Sequence, residues 1–145
     1  MIDKIKLIPP ILKYTYRVIY GDTDAAGVVY YGNYLRFFEI GRTEFLRELT
    51  SISYKDIEDS GILLPVTESY CRYKASARYD DLLEISTSLT KLSKVSISFT
   101  HEIHNLETNQ LLVVGYTRHA SINKEGKISA LPSFLIDKLK AEINR

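Results

Sequence analysis

The sequence has one cysteine, one methionine, three histidines and no tryptophan in 145 residues. Cys71 alone cannot close an internal disulfide or build a zinc site. A reducing compartment fits, and the cytoplasm is the expected location. Charge of one sign is equally scarce: 19 Lys and Arg stand against 18 Asp and Glu, a formal net charge of +1. No general attraction to nucleic acid or to an anionic membrane is expected, though a net figure leaves room for a local cationic patch. No apolar run approaches the roughly 18 residues of a membrane span, so no membrane insertion is expected. The N-terminus carries Lys4 and Lys6 but lacks the apolar core and small cleavage-site residues of a signal peptide. Internal repeats, low-complexity tracts and linkers are absent. No serine, Ser93, Ser96 and Ser98 included, sits in a G-x-S-x-G context, so a serine-hydrolase triad has no support.

The length and the 45% hydrophobic content suit one domain with a sizeable core. Residues 1–13 form an expected N-terminal arm, broken at Pro9-Pro10, and residues 14–145 form the domain. Alternation predicts a first strand over residues 14–20. A short helix is expected from Ser53, its N-cap, to Asp59, stopped by Gly61. Strands then follow over 62–74 with a break near Pro65, and over 82–92, 95–103 and 110–123, joined by short turns. A C-terminal helix over 132–143 should pack through Phe134, Leu135, Leu139 and Ile143. Consecutive strands with one long helix argue an antiparallel sheet packed on that helix, an α+β fold. A half-covered sheet with open edges favours a homodimer.

Residues 20–49 concentrate the chemistry. Asp22 and Asp24 stand one residue apart, and Ala25-Ala26-Gly27 lets the backbone turn tightly. Tyr34, Leu35, Phe38, Phe45, Leu46 and Leu49 then recur at helical spacing, with one face to bury. Glu39, Arg42, Glu44 and Arg47 read as a charged, solvated face of that helix. The first helical turn leaves backbone N–H groups unpaired, and such donors beside a carboxylate suit acyl chemistry. By spacing alone, the simpler reading makes both aspartates turn or cap residues. A calcium loop fits poorly: Ala26 stands where an oxygen ligand belongs, and Asn33 where a bidentate Glu is needed. His101 and His104, three apart on a strand, face opposite sides and cannot share a metal.

Tyr20, the run Asp22-Thr23-Asp24-Ala25-Ala26-Gly27-Val28-Val29-Tyr30, Asn33-Tyr34 and Arg42-Thr43-Glu44-Phe45-Leu46-Arg47 together resemble a known signature. It is that of the hotdog-fold acyl-CoA thioesterases, in particular the 4-hydroxybenzoyl-CoA thioesterase group and its short Tol-Pal-associated bacterial branch. The resemblance runs from about Lys13 to the C-terminal helix. It implies an antiparallel sheet wrapped around one long central helix, paired as a homodimer or assembled into a tetramer. It implies hydrolysis of an acyl-CoA, with no metal and no cofactor beyond the CoA of the substrate. Asp24, the second acid of D-x-D, would be the nucleophile or general base, and the N–H of Tyr31 would face the thioester oxygen. Asp22 would hold the loop by hydrogen bonds to backbone N–H groups, because two ionised carboxylates so close repel. Some hotdog thioesterases place the acid on the helix, which makes Glu39 and Glu44 internal alternatives. Hotdog dehydratases need a histidine near the helix start, and residues 1–100 contain none. Gly32 departs from the bulkier or proline residue often found there.

By the same resemblance the acyl pocket would use Leu64, Pro65 and Val66 with residues of a partner subunit. The phosphates of CoA would meet Lys91 and Lys94 at one hairpin, with Lys124 and Lys127 at the next. Short aliphatic, long aliphatic and aromatic acyl groups all fit the motif. Two other functions fit the same residues: an acyl-ACP thioesterase, and a non-catalytic acyl-CoA-binding module.

Overall fold

The computed structural model describes residues 5–143; residues 1–4 of the expected arm lie outside them. Ten elements follow in order: β1 (Ile11–Arg17), α1 (Asn33–Thr50), α2 (Tyr54–Asp59), β2 (Ile62–Leu63), β3 (Val66–Tyr73), β4 (Leu82–Leu92), β5 (Ser96–Asn105), β6 (Leu111–Ala120), β7 (Ile122–Asn123) and α3 (Ser133–Ile143). Five strands form one antiparallel sheet in the order β1-β4-β5-β6-β3, and β2 pairs with β7 in a small ribbon. The long helix lies across the sheet, touching β4, β1 and β5.

Packing, more than intrinsic propensity, holds α1. The helix contains Gly41, Thr43 and Thr50, all weak helix formers. It also buries Phe37, Phe38, Phe45 and Leu46 completely, each worth roughly 1.5–3 kcal/mol. The inner face of the sheet answers with Leu83, Ile85, Ile97, Phe99, Ile103 and Val113, all buried. Glycine makes the approach possible at two points. A Cβ on Gly41 would lie 2.5 Å from Thr87 Oγ1, and one on Gly115 would lie 2.1 Å from the Tyr70 carbonyl oxygen and 2.7 Å from the Phe38 ring. Ser53 caps α2 through a capping box with Asp56, and Gly61 follows at φ +96°, as expected.

The first strand runs three residues earlier than alternation predicts, and the expected arm accordingly ends at Pro10. The pairing of Ile11–Arg17 with β4 sets these limits. Ile19 and Tyr20 turn away because the Ile19 N–H donates to the Asp22 carboxylate at 3.0 Å. The preceding residues Ile5–Ile8 lie along the outer face of the sheet, where the Ile8 N–H donates to Ser88 Oγ at 3.1 Å. They border a cleft of about 820 Å³ with Thr90, Lys91, Ser98, Thr100, Tyr116 and Arg118. Phe134, read as a packing residue of α3, is 44% exposed, and Leu135 and Leu139 carry the contact instead.

Arg42 also departs from expectation. It is not on a solvated face; it is buried between helix and sheet, near His101, His119 and Tyr54. His119 Nδ1 donates to the Leu64 carbonyl at 3.0 Å, which leaves Nε2 to accept from the Thr117 hydroxyl. His101 stacks on Phe38 and meets Thr87 Oγ1 at 2.9 Å. Burial pushes His119 down to about 4, and burial with the field of Arg42 holds His101 well below the usual histidine range. The unfolded chain binds protons at these positions near pH 6.5, while the folded chain does not. Stability is therefore fully present above about pH 6.5 and declines as pH falls toward 4, by up to about 1.4 kcal/mol per pH unit for each histidine. The urea midpoint should accordingly be lower at pH 5 than at pH 7, and His119→Gln should reduce that difference while His101 maintains the rest. A midpoint independent of pH in this window would contradict the buried neutral pair.

Candidate active site

The chain leaves β1 through a 3₁₀ turn at Tyr20–Asp22 and forms a small loop, closed by bridges between Thr23 and Val29 and between Val28 and Arg78. Gly27 sits at φ +81°, a conformation that favours glycine. The loop holds Asp24 through three local bonds. Its N–H donates to the Val28 carbonyl at 2.9 Å, and its carbonyl accepts from the Gly27 N–H at 3.0 Å. One carboxylate oxygen accepts from the Ala26 N–H at 2.9 Å. Among the described residues no donor engages the other oxygen, and the side chain is exposed.

That carboxylate opens onto a cavity of about 310 Å³, lined by Val28, Val29, Tyr31, Tyr34, Tyr73 and the turn residues 74–76. Tyr31 lies just before α1. The N–H groups of Asn33, Tyr34 and Leu35 close back on the carbonyls of Tyr30, Tyr31 and Gly32. Among the described residues no acceptor engages the N–H of Tyr31. The N–H of Gly32 likewise has no acceptor among the described residues, so the free donors lie immediately before α1 rather than in its first turn, where a plain α-helix start would leave them. Tyr34 is anchored, its hydroxyl accepting from the Ala77 N–H at 3.0 Å, and its burial holds the phenol above the ordinary range. Tyr73 reaches in from the end of β3, 5.7 Å from the Tyr34 ring and 6.1 Å from that of Tyr31. Desolvation, then the neighbouring Cys71 thiol, pushes the Tyr73 phenol up to about 12. It therefore faces the cavity as a hydroxyl at neutral pH. The Tyr30 and Tyr31 side chains are 48% and 61% exposed.

Asp22 takes the structural role expected of it. Only 1% exposed, its carboxylate accepts from the Ile19 N–H and from the Tyr16 hydroxyl at 2.8 Å, and pairs with Arg36. Asp24 and Tyr31 are thus brought together on one cavity, while the other expected residues are not. Leu64 and Pro65 spend their carbonyls on His119 and Ala120. Val66 opens β3 at the end opposite Tyr73, roughly 23 Å away at about 3.3 Å per residue. Lys91 borders the cleft on the outer sheet face, and Lys94 lies in the β4–β5 hairpin. Within one chain, then, none of these five lines the Asp24 cavity. Glu39 and Glu44 line a separate groove with Tyr14, Tyr16 and Arg36. Tyr73 was missed because alternation alone does not say which end of a strand meets a loop; its position just before the turn at residues 75–81 was the available signal.

The fold is shared with known proteins. Residues 18–139 match the family described as the thioesterase-like superfamily. An acyl-CoA thioester hydrolase, YbgC, from Escherichia coli is 39% identical over 101 residues, which cover 70% of this chain and 75% of that protein. A DHNA-CoA thioesterase from Staphylococcus aureus superposes with a TM-score of 0.83 at 30% identity, covering 92% of this chain and 93% of that one. A 1,4-dihydroxy-2-naphthoyl-CoA thioesterase from Synechocystis gives a TM-score of 0.80 at 27% identity, with 92% and 96% covered. The sheet wrapped on one long helix is the hotdog fold of these proteins.

Proposed function

Because the chain belongs to the thioesterase-like superfamily, we propose that it is an acyl-CoA thioesterase whose reaction is carried by Asp24 and by the backbone N–H of Tyr31. The observation that supports this most directly is that Asp24 and Tyr31 border one cavity, and that among the described residues one Asp24 carboxylate oxygen and the Tyr31 N–H have no hydrogen-bond partner. The thioester carbonyl oxygen is placed toward the Tyr31 N–H. Asp24 then either attacks the carbonyl carbon or takes a proton from a water that does so. Direct attack gives a mixed anhydride and releases the CoA thiolate; water then cleaves the anhydride to the free acid and restores the carboxylate. In the general-base route the tetrahedral intermediate collapses directly to acid and thiolate, and the proton held by Asp24 passes to the departing thiolate, which restores the carboxylate. In both routes negative charge gathers on the carbonyl oxygen, where one well-placed donor contributes roughly 3 kcal/mol. Neither route calls for a metal or a cofactor beyond the CoA of the substrate.

A homodimer is part of the same proposal. β3 is an edge strand, and its residues 66–69 are all exposed. Pairing with a second copy would cover that edge. It would also explain why Leu64, Pro65, Val66, Lys91 and Lys94 stand apart from Asp24 in one chain: they would serve the site of the other. The cytoplasm remains the proposed location, and no described helix is long and apolar enough to cross a membrane.

The test is thiol release from a panel of short, long and aromatic acyl-CoAs, with the same acyl groups on an acyl carrier protein alongside. Turnover of one acyl class as its CoA thioester is the expected result. Tight binding without turnover across the panel would replace the enzyme with a binding module.

A further inference from the structure

Asp22 is a carboxylate almost sealed from water, a position tolerated only when the charge is compensated. Its partners come from three parts of the chain. The Tyr16 hydroxyl belongs to β1, the Ile19 N–H to the residue that precedes the 3₁₀ turn, and the Arg36 guanidinium to the first turn of α1. Its main-chain carbonyl is used as well, accepting from the Tyr30 N–H at 2.9 Å and from Asn33 Nδ2 at 2.8 Å. Asp22 therefore stands two residues before Asp24 and also bonds the residue immediately before Tyr31. The carboxylate arm and the oxyanion arm of the site hang from one anchor.

We propose that Arg36 is a positioning residue: by holding the buried Asp22 carboxylate it sets the separation between the Asp24 carboxylate and the Tyr31 N–H. This rests on the reading of Asp24 and Tyr31 given above. Arg36 does not line the Asp24 cavity; it borders the groove on the Tyr14 and Glu39 side. Its guanidinium lies 5.3 Å from the Phe37 ring centroid, against a side chain that is itself fully buried. Of the described groups bonded to Asp22 it alone carries positive charge. Without it the carboxylate keeps two neutral donors and turns toward water, dragging the loop with it. A displacement of about 1 Å between reacting groups slows a reaction by roughly a hundredfold.

The experiment uses Arg36→Gln, Arg36→Lys and Tyr16→Phe in the full chain. Kinetics on the best acyl-CoA substrate are paired with amide hydrogen exchange at Tyr30. Arg36→Gln should lower kcat at least tenfold with KM within twofold of wild type, and speed exchange at Tyr30 at least tenfold. Arg36→Lys should restore most of both, and Tyr16→Phe should show a smaller loss of the same kind. An unchanged kcat, a rise in KM alone, or unchanged Tyr30 exchange in Arg36→Gln would overturn the proposal. Should Arg36→Gln not fold, Tyr16→Phe with wild-type kcat and wild-type exchange would overturn it equally. Should wild type cleave no thioester, the proposed reaction falls, and Tyr30 exchange alone still decides whether Arg36 holds the loop.

Discussion

Asp24→Asn should lower kcat/KM on a good acyl-CoA substrate by roughly a thousandfold, within the range assigned to a lost general base or nucleophile. The change removes charge and proton affinity and little else. The one side-chain bond that Asp24 makes among the described residues, from the Ala26 N–H to a carboxylate oxygen, is available to the amide oxygen of Asn. The side chain is exposed, so no buried charge is created or left behind. Substrate affinity and the melting temperature should therefore stay close to wild type. Loss of kcat with retained binding, measured by thiol release and by calorimetry with an acyl-CoA, would assign the chemistry to this carboxylate. If kcat/KM is unchanged, Asp24 is a turn residue, and Glu39 and Glu44 become the groups to test. Their groove is separate from the Asp24 cavity, so the two outcomes also point to different places on the molecule.

Among the glycines of the chain, Gly115→Ala should be the most destabilising substitution. The new carbon would stand 2.1 Å from the Tyr70 carbonyl oxygen and under 3 Å from two atoms of the Phe38 ring. Neither neighbour yields easily. Tyr70 is part of the ladder between β3 and β6, and Phe38 is fully buried against His101. Overpacking of this kind costs about 3 kcal/mol, which corresponds to a fall in Tm of roughly 10 °C for a chain of this size. Phe38→Leu added to Gly115→Ala should recover only part of the loss, because the clash with the backbone carbonyl remains. A Tm within 2 °C of wild type for Gly115→Ala, in a thermal melt followed by circular dichroism, would contradict the close approach of β3 to β6 at this point.

Much of this architecture was legible in the residues, for reasons that also explain the misses. Phe38, Phe45 and Leu46 announced α1 because a helix that buries one face must repeat its apolar residues near 3.6. Periodicity does not reveal Arg42, because a charged residue at helical spacing reads as solvent-facing; the guanidinium instead turns inward beside two histidines whose neutrality no spacing rule reveals. Tyr14, Tyr16, Val18 and Tyr20 alternate regardless of where a strand ends. The Asp22 side chain, which draws in the Ile19 N–H, decides that limit, and this is a contact across the turn. Asp24 and Tyr31 could be named because they lie on one short loop with a recognisable pattern. Tyr73, from a strand more than forty residues later, joins them only through tertiary packing. Leu64, Pro65 and Val66 were placed beside Asp24 on the strength of resemblance, and the length of β3 keeps them from it within a single chain.

The position of β3 at the sheet margin, with Tyr73 at one end of it, has a thermodynamic consequence. A strand that docked along the whole of that margin would reach Tyr73, which also borders the cavity holding Asp24, so docking and ligand occupancy would draw on overlapping atoms. Two equilibria that share atoms are linked: a ligand seated against Tyr73 tightens the hold of the second strand by the same factor by which that strand tightens the ligand. Turnover per chain would then rise with total chain concentration until the margin is filled. Saturating ligand would shift the dilution midpoint of the assembly to lower concentration, which makes dilution a probe of the cleft.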